Sequence, residues 1–191
     1  VSSNVKFILM VNYFGINQNF SKFRSFSKKH NLHLIEDNAH GYGGSINNES
    51  LGSIGDFSIS SPRKNLNINC GGILKFNNDY KIKIDNIDKY QLKNSNILKR
   101  KLKNISFLKE IFKIYRRRPL YENMDTFRGS TLNDFLIDDF SLEYLNSINI
   151  KELVKFKQTN FNYWLDFVKK NNLIPVFDKI NGNLSPWCFP A

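Results

Sequence analysis

The chain has 191 residues, 28 Lys+Arg against 17 Asp+Glu for a formal net charge of +11, and 41% hydrophobic and 14% aromatic residues. That length suits one domain or one and a part, and that composition excludes wholesale disorder. Two distant cysteines, Cys70 and Cys188, give neither a disulfide framework nor a metal-ligand spacing. The longest apolar run, Phe7 to Val11, is far too short to span a membrane. A soluble cytoplasmic protein without a metal centre or membrane partner is expected. Val1-Ser2-Ser3 and Phe189-Pro190-Ala191 do not read as natural termini. The chain is therefore read as truncated at both ends, a piece of a longer protein.

In chain order, Val5 to Val11 is a short apolar run bounded by polar residues, the pattern of a buried strand in a parallel sheet. Asn12 to Asn19 is a loop. Phe20, Phe23 and Phe26 then recur on one helical face, and Lys28-Lys29-His30 close the helix with charge favourable to its dipole. Asn31 is its C-cap, and Leu32 to Glu36 is a second strand, completing a βαβ unit. A Gly/Ser/Asn-rich loop runs from His40 to Gly55. A strand, Phe57 to Ser60, leads into Ser61-Pro62-Arg63-Lys64, and Gly71-Gly72 turns the chain into a further strand, Ile73 to Phe76.

The basic run from Lys93 to Arg118 reads as a solvated helix face. No zinc-finger spacing or RNA-binding aromatic motif supports a nucleic-acid partner. Within it, Leu98, Leu102, Ile105, Leu108, Ile111, Phe112 and Tyr115 predict a helix over 97–115 that ends before Pro119. Thr126 to Asp139 is irregular. Helices are predicted from Ser141 to Ile148 and from Ile150 to Lys170, with Leu153, Phe161, Trp164, Leu165 and Val168 of the second facing the core. Leu173 to Phe177 is expected to begin a strand of a second, smaller domain.

Two positions stand out chemically. Asp37 follows an apolar strand, at the carboxyl end where α/β sheets place ligand groups; a turn-capping carboxylate fits that position equally. Lys64 follows a short strand, with serines three and four residues before it and Gly-Gly seven and eight residues after it. A desolvated lysine suits covalent chemistry with a carbonyl, while a surface loop lysine is the plain alternative.

Taken together, Glu36-Asp37-Asn38-Ala39-His40, the Gly55-Asp56 turn, the serine-bearing strand before Lys64 and the segment Gly71 to Asp79 resemble the DegT-type family of sugar aminotransferases. These enzymes depend on pyridoxal phosphate (PLP) and belong to the fold type I, aspartate aminotransferase-like superfamily. Val11 to Gly15 is similar to the family's loop after the preceding strand. Ser61-Pro62-Arg63-Lys64 is closest to a divergent branch linked to surface polysaccharide synthesis. The resemblance is clear over residues 5–80 and looser from Ser141 to Phe177.

It implies an α/β fold: part of a PLP-binding large domain with a mixed, mostly parallel sheet, followed by helices leading into a small C-terminal α+β domain. The corresponding divisions are 1–95, 96–150 and 151–191. It also implies residue roles. Asp37 would pair with the cofactor's pyridine nitrogen, and His40 would lie beside the ring and its phenolic oxygen. Lys64 would hold the cofactor covalently and move the substrate proton. Ser61, with Ser60 as the alternative, would bind the phosphate. His40 as a satisfied loop histidine and Ser61 as a turn former remain open.

The chain departs from the family in three respects. Ile59 stands where many members have serine, five residues before the lysine. The Gly-x-Asn-x-Arg segment that completes a neighbouring subunit's site is not recognisable, although Phe127-Arg128-Gly129-Ser130 lies in that region. The portion that carries the phosphate loop and a ring-stacking aromatic is absent, so this piece alone is expected to be inactive. The implied function is a homodimeric aminotransferase moving an amino group from an amino acid to a keto group of a nucleotide-linked sugar. A sugar dehydratase on the same scaffold is one alternative, though dehydrating relatives carry histidine in place of the lysine. A non-catalytic protein that retains the fold is the other.

Overall fold

The structure, a computed structural model, describes residues 1–68, 71–77, 88–89 and 135–190. The chain divides into two compact units, Val1–Lys83 with Asp139–Ala191, and Ile84–Asp138. In the second unit, β7 (Asp88–Lys89) pairs parallel with β8 (Phe135–Leu136). The predicted helix over 97–115 lies outside the described residues, as does 126–134 of the stretch expected to be irregular.

The first unit is built on a four-stranded sheet in the order β1-β2-β5-β6. β1 (Phe7–Val11) runs parallel to β2 (His33–Asn38), in register from Phe7 against His33 to Val11 against Asp37. Between them lies α1 (Phe20–His30). Asn19 opens this helix by accepting from the Lys22 N–H at 3.2 Å, and Asn31 closes it in the left-handed conformation, as expected for its C-cap. β5 (Phe57–Ser60) extends the sheet parallel to β2, and β6 (Ile73–Phe76) returns antiparallel to β5. The mixed, mostly parallel sheet is the one predicted.

β2 runs two residues further than expected. Asp37 and Asn38 are poor strand formers, but the ladder continues through them to Ile59 and Ser60 because β1 and β5 flank Asp37 and β5 also pairs with Asn38. The loop after β2 also contains an unforeseen hairpin, β3 (Ser45–Ile46) against β4 (Glu49–Ser50). Its turn residues Asn47 and Asn48 both take positive φ, 49° and 64°, as a two-residue primed turn requires.

Side chains alternate across the sheet. Met10, Leu34, Glu36, Asn38 and Ser58 are buried on one face, where α1 and α4 (Ile150–Lys170) pack. That core contains Met10, Leu34, Leu51, Ile54, Phe161, Leu165 and Leu184. α4 matches the prediction, and α3 (Asp139–Ser147), which begins two residues before its predicted start, instead packs Leu145 into a smaller cluster with Leu66, Ile68 and Leu153. Asn149 caps α4 by accepting from the Lys151 and Glu152 N–H groups at 3.1 and 3.3 Å.

Leu153, Phe161, Leu165 and Val168 of α4 are buried as predicted, but Trp164 is 48% exposed. It stands at the margin of the apolar stripe and lines a cleft of about 520 Å³ with Phe167, Trp187 and Cys188. Leu173 to Phe177 forms no strand. Asn172 turns the chain at φ 56°, Pro175 lacks a ladder donor, and Ile174 is 91% exposed.

Candidate active site

The predicted residues lie at or just beyond the carboxyl ends of the parallel strands, where open α/β sheets bind ligands. Asp37 stands in β2, between Val11 and Ile59 in register and on the sheet face opposite Glu36 and Asn38. Its Oδ1 accepts from the Ala39 N–H at 2.9 Å, which turns the chain toward His40. Lys64 lies in the last turn of α2 (Pro62–Asn65). Pro62 opens this short helix, and the Lys64 N–H donates to the Ser61 carbonyl at 3.0 Å.

His40 connects the two. Its pKa is held below the usual imidazole value, first by burial and then by the charge of Lys64, with the Asp37 carboxylate opposing. The Phe14 N–H donates to His40 Nδ1 at 3.2 Å. The His40 ring stacks on Trp187 at 4.6 Å between centroids and 27° between planes, and Lys64 Nζ lies 5.4 Å from the Trp187 ring centroid. Ser61 is the N-cap of α2, yet its hydroxyl makes no capping bond. Ser60 turns to the Asn38 face, where its Oγ accepts from Asn38 Nδ2 at 3.4 Å.

Several supporting residues were not foreseen. Glu36 is fully buried and accepts from Asn12 Nδ2 (2.9 Å) and the backbone N–H groups of Gly52 (2.8 Å), Ile54 (2.8 Å) and Gly55 (3.3 Å). It fastens the loop before β5 to β2. Asn65, next to Lys64, places Nδ2 near the carbonyls of His40 (3.5 Å), Tyr42 (3.2 Å) and Ser185 (3.4 Å) and near Ser185 Oγ (3.1 Å). It ties α2 to both the His40 turn and the C-terminal segment. Glu36 carried a signal in the alternation of β2. Asn65 and Trp187 carried none, because their partners are distant in sequence.

The donor set fits PLP. Asp37 offers a carboxylate whose Oδ1 is held by Ala39, suited to a protonated pyridine nitrogen. Lys64 makes no ion pair among the described residues, and the Ser61 hydroxyl is not spent on its own helix. Among the described residues no group of three or more His, Cys, Asp and Glu could hold a metal, and no helix is long and apolar enough to cross a membrane.

A family model described as the DegT/DnrJ/EryC1/StrS aminotransferase family matches residues 1–105. No curated protein matches the chain. Among solved structures, the chain is similar to a DegT DnrJ EryC1 StrS aminotransferase from Brucella abortus, with 25% identity and a TM-score of 0.35 over 39% of this chain and 21% of that one. It is similar to PseC of Helicobacter pylori, an aminotransferase involved in pseudoaminic acid biosynthesis, with 26% identity and a TM-score of 0.31 over 32% and 16%. It is also similar to DesI in the presence of its TDP-sugar product, with 25% identity and a TM-score of 0.31 over 31% and 15%. The matched part is thus about a sixth to a fifth of each solved chain.

Proposed function

This chain belongs to the DegT/DnrJ/EryC1/StrS aminotransferase family, and on that premise we propose that it is the lysine-bearing part of a PLP-dependent sugar aminotransferase. The observation that carries this reading is that His40 and Lys64 both lie against Trp187, while Asp37 leads into the His40 turn at the carboxyl end of β2. PLP, when bound, supplies an electron sink for the carbon that loses or gains the amino group. Asp37 would keep the proton on the pyridine nitrogen by facing it with a carboxylate. Lys64 Nζ would hold the cofactor covalently and, when released, would be the base that carries the proton between the substrate carbon and the cofactor carbon on either side of the shared nitrogen. His40 would direct a ring N–H toward the phenolic oxygen. Ser61 Oγ would donate to the phosphate and is favoured over Ser60, whose hydroxyl already accepts from Asn38 on the other face.

In the finer reading an amino acid is the donor and a nucleotide-linked sugar ketone the acceptor, in cell-surface polysaccharide synthesis. The enzyme is a cytoplasmic homodimer, with divisions at 1–95, 96–150 and 151–191. The retained Lys64 weighs against a dehydratase. The test uses the full-length protein. It should bind PLP with a visible absorption band, which an amino acid converts to the amine form and Lys64→Ala abolishes. A full-length protein that binds no PLP overturns the reading and leaves a scaffold that keeps the fold.

A further inference from the structure

The segment from Asn183 to Phe189 is fastened to the site through neighbours of its chemical groups. Ser45 and Asn183 exchange backbone hydrogen bonds at 2.8 and 2.9 Å, and Asn65 reaches Ser185 beside Lys64. The Trp187 N–H donates to the Phe14 carbonyl at 2.8 Å, and the Phe14 N–H in turn donates to His40 Nδ1 at 3.2 Å. Gly15, at φ 81°, makes room for this approach. A Cβ there would stand 2.6 Å from the His40 carbonyl oxygen and 2.7 Å from that of Ser185. The result is an indole stacked on the His40 imidazole at 4.6 Å.

The two nitrogens of His40 consequently differ. An N–H aimed at Nδ1 requires a lone pair there, so a neutral ring carries its proton on Nε2. Protonating Nδ1 would set one N–H against another and break the bond from Phe14. The indole meanwhile keeps water from part of the ring.

We infer that Trp187 is a positioning residue that, together with the Phe14 amide, holds the His40 ring in the Nε2–H tautomer, donating into the space shared by Asp37 and Lys64. What Nε2 donates to rests on the proposed PLP site; the tautomer and the part played by Trp187 do not. The charged groups acting on His40 are Lys64 from α2 and Asp37 from β2, and burial leads the downward shift of its pKa. Cys188, next to Trp187, interacts instead with Lys157 of α4.

The experiment is ¹⁵N–¹H long-range correlation NMR of His40 in cofactor-free full-length protein, as wild type, Trp187→Phe and Trp187→Leu, across pH. The expected result is an Nε2–H tautomer that titrates below an ordinary histidine. Trp187→Leu should raise the Nδ1–H share of the neutral ring, and Trp187→Phe should keep Nε2–H dominant. A wild-type Nδ1–H tautomer, or a folded Trp187→Leu protein with an unchanged tautomer ratio, overturns the inference. If Trp187→Leu does not fold, the wild-type and Trp187→Phe tautomers decide. PLP absorbance on the same proteins separates the two readings. A PLP band with an unresponsive His40 sinks the role of Trp187 alone. A responsive His40 without a band sinks the aminotransferase reading alone.

Discussion

Glu36 and Asp37 are adjacent acids with opposite fates. The strand period of two sends Glu36 into the core and Asp37 to the other face. Glu36→Gln would turn an amide N–H₂ toward N–H donors that now meet a carboxylate. We expect a loss of about 2–4 kcal/mol, read from urea unfolding, because charge-assisted bonds are lost and buried donors are orphaned. Asp37→Asn should change stability by less than about 1 kcal/mol, since the Asx turn with Ala39 survives, while PLP binding is lost. Histidine 40 adds a pH dependence. Its folded pKa lies below its unfolded value of about 6.5, so the unfolded chain binds the proton more readily. Its contribution to stability is full above the unfolded pKa and falls as pH drops from there through the folded pKa. Urea midpoints at neutral and mildly acidic pH should fall less in His40→Gln than in wild type. Position and resemblance single out Asp37, His40 and Lys64 in the sequence as candidates. The partners of Glu36 and the Trp187 stack were not, because they depend on which strands and loops meet.

At the scale of elements, legibility follows local periodicity. The phenylalanines of α1 and the apolar stripe of α4 predict both helices to the residue because propensity, caps and packing agree there. Leu173 to Phe177 is equally apolar, but no ladder receives it, and an apolar run without a partner is not a strand. The β3–β4 hairpin fails in the other direction. Each strand is two residues long, too short to show alternation, and only the Asn47-Asn48 turn announces it. For α4, Phe161→Ala should cost about 3–5 kcal/mol by leaving a cavity. Asn149→Ala should cost about 1 kcal/mol by uncapping the helix. Trp164→Ala, at the cleft margin, should cost clearly less than Phe161→Ala. Thermal or urea unfolding of the three variants ranks them, and a Trp164 loss equal to that of Phe161 would show that the indole belongs to the core after all.

At the scale of the whole chain, the described residues cover the sheet on one side. Met10, Leu34 and Glu36 lie under helices, whereas Phe7, Leu9, Ile59 and Leu74 on the Asp37 side are each more than 40% exposed. Sheets built mainly of parallel strands have both faces covered in stable proteins, and an exposed apolar patch of this kind promotes association. β1 and β6 are also the sheet's edges, so Leu9 and Leu74 mark the two ends of the open face. These 191 residues expressed alone should therefore self-associate with rising concentration and bind a hydrophobic dye. Leu9→Lys with Leu74→Lys should shift sedimentation toward the monomer while changing unfolding free energy by no more than about 1 kcal/mol, because neither side chain is in the core. Asp37 opens onto that same face, so whatever covers the leucines also sets how dry the carboxylate is. A chain that remained monomeric with the leucines intact would mean that the face is already covered, and the environment of Asp37 would have to be redrawn with it.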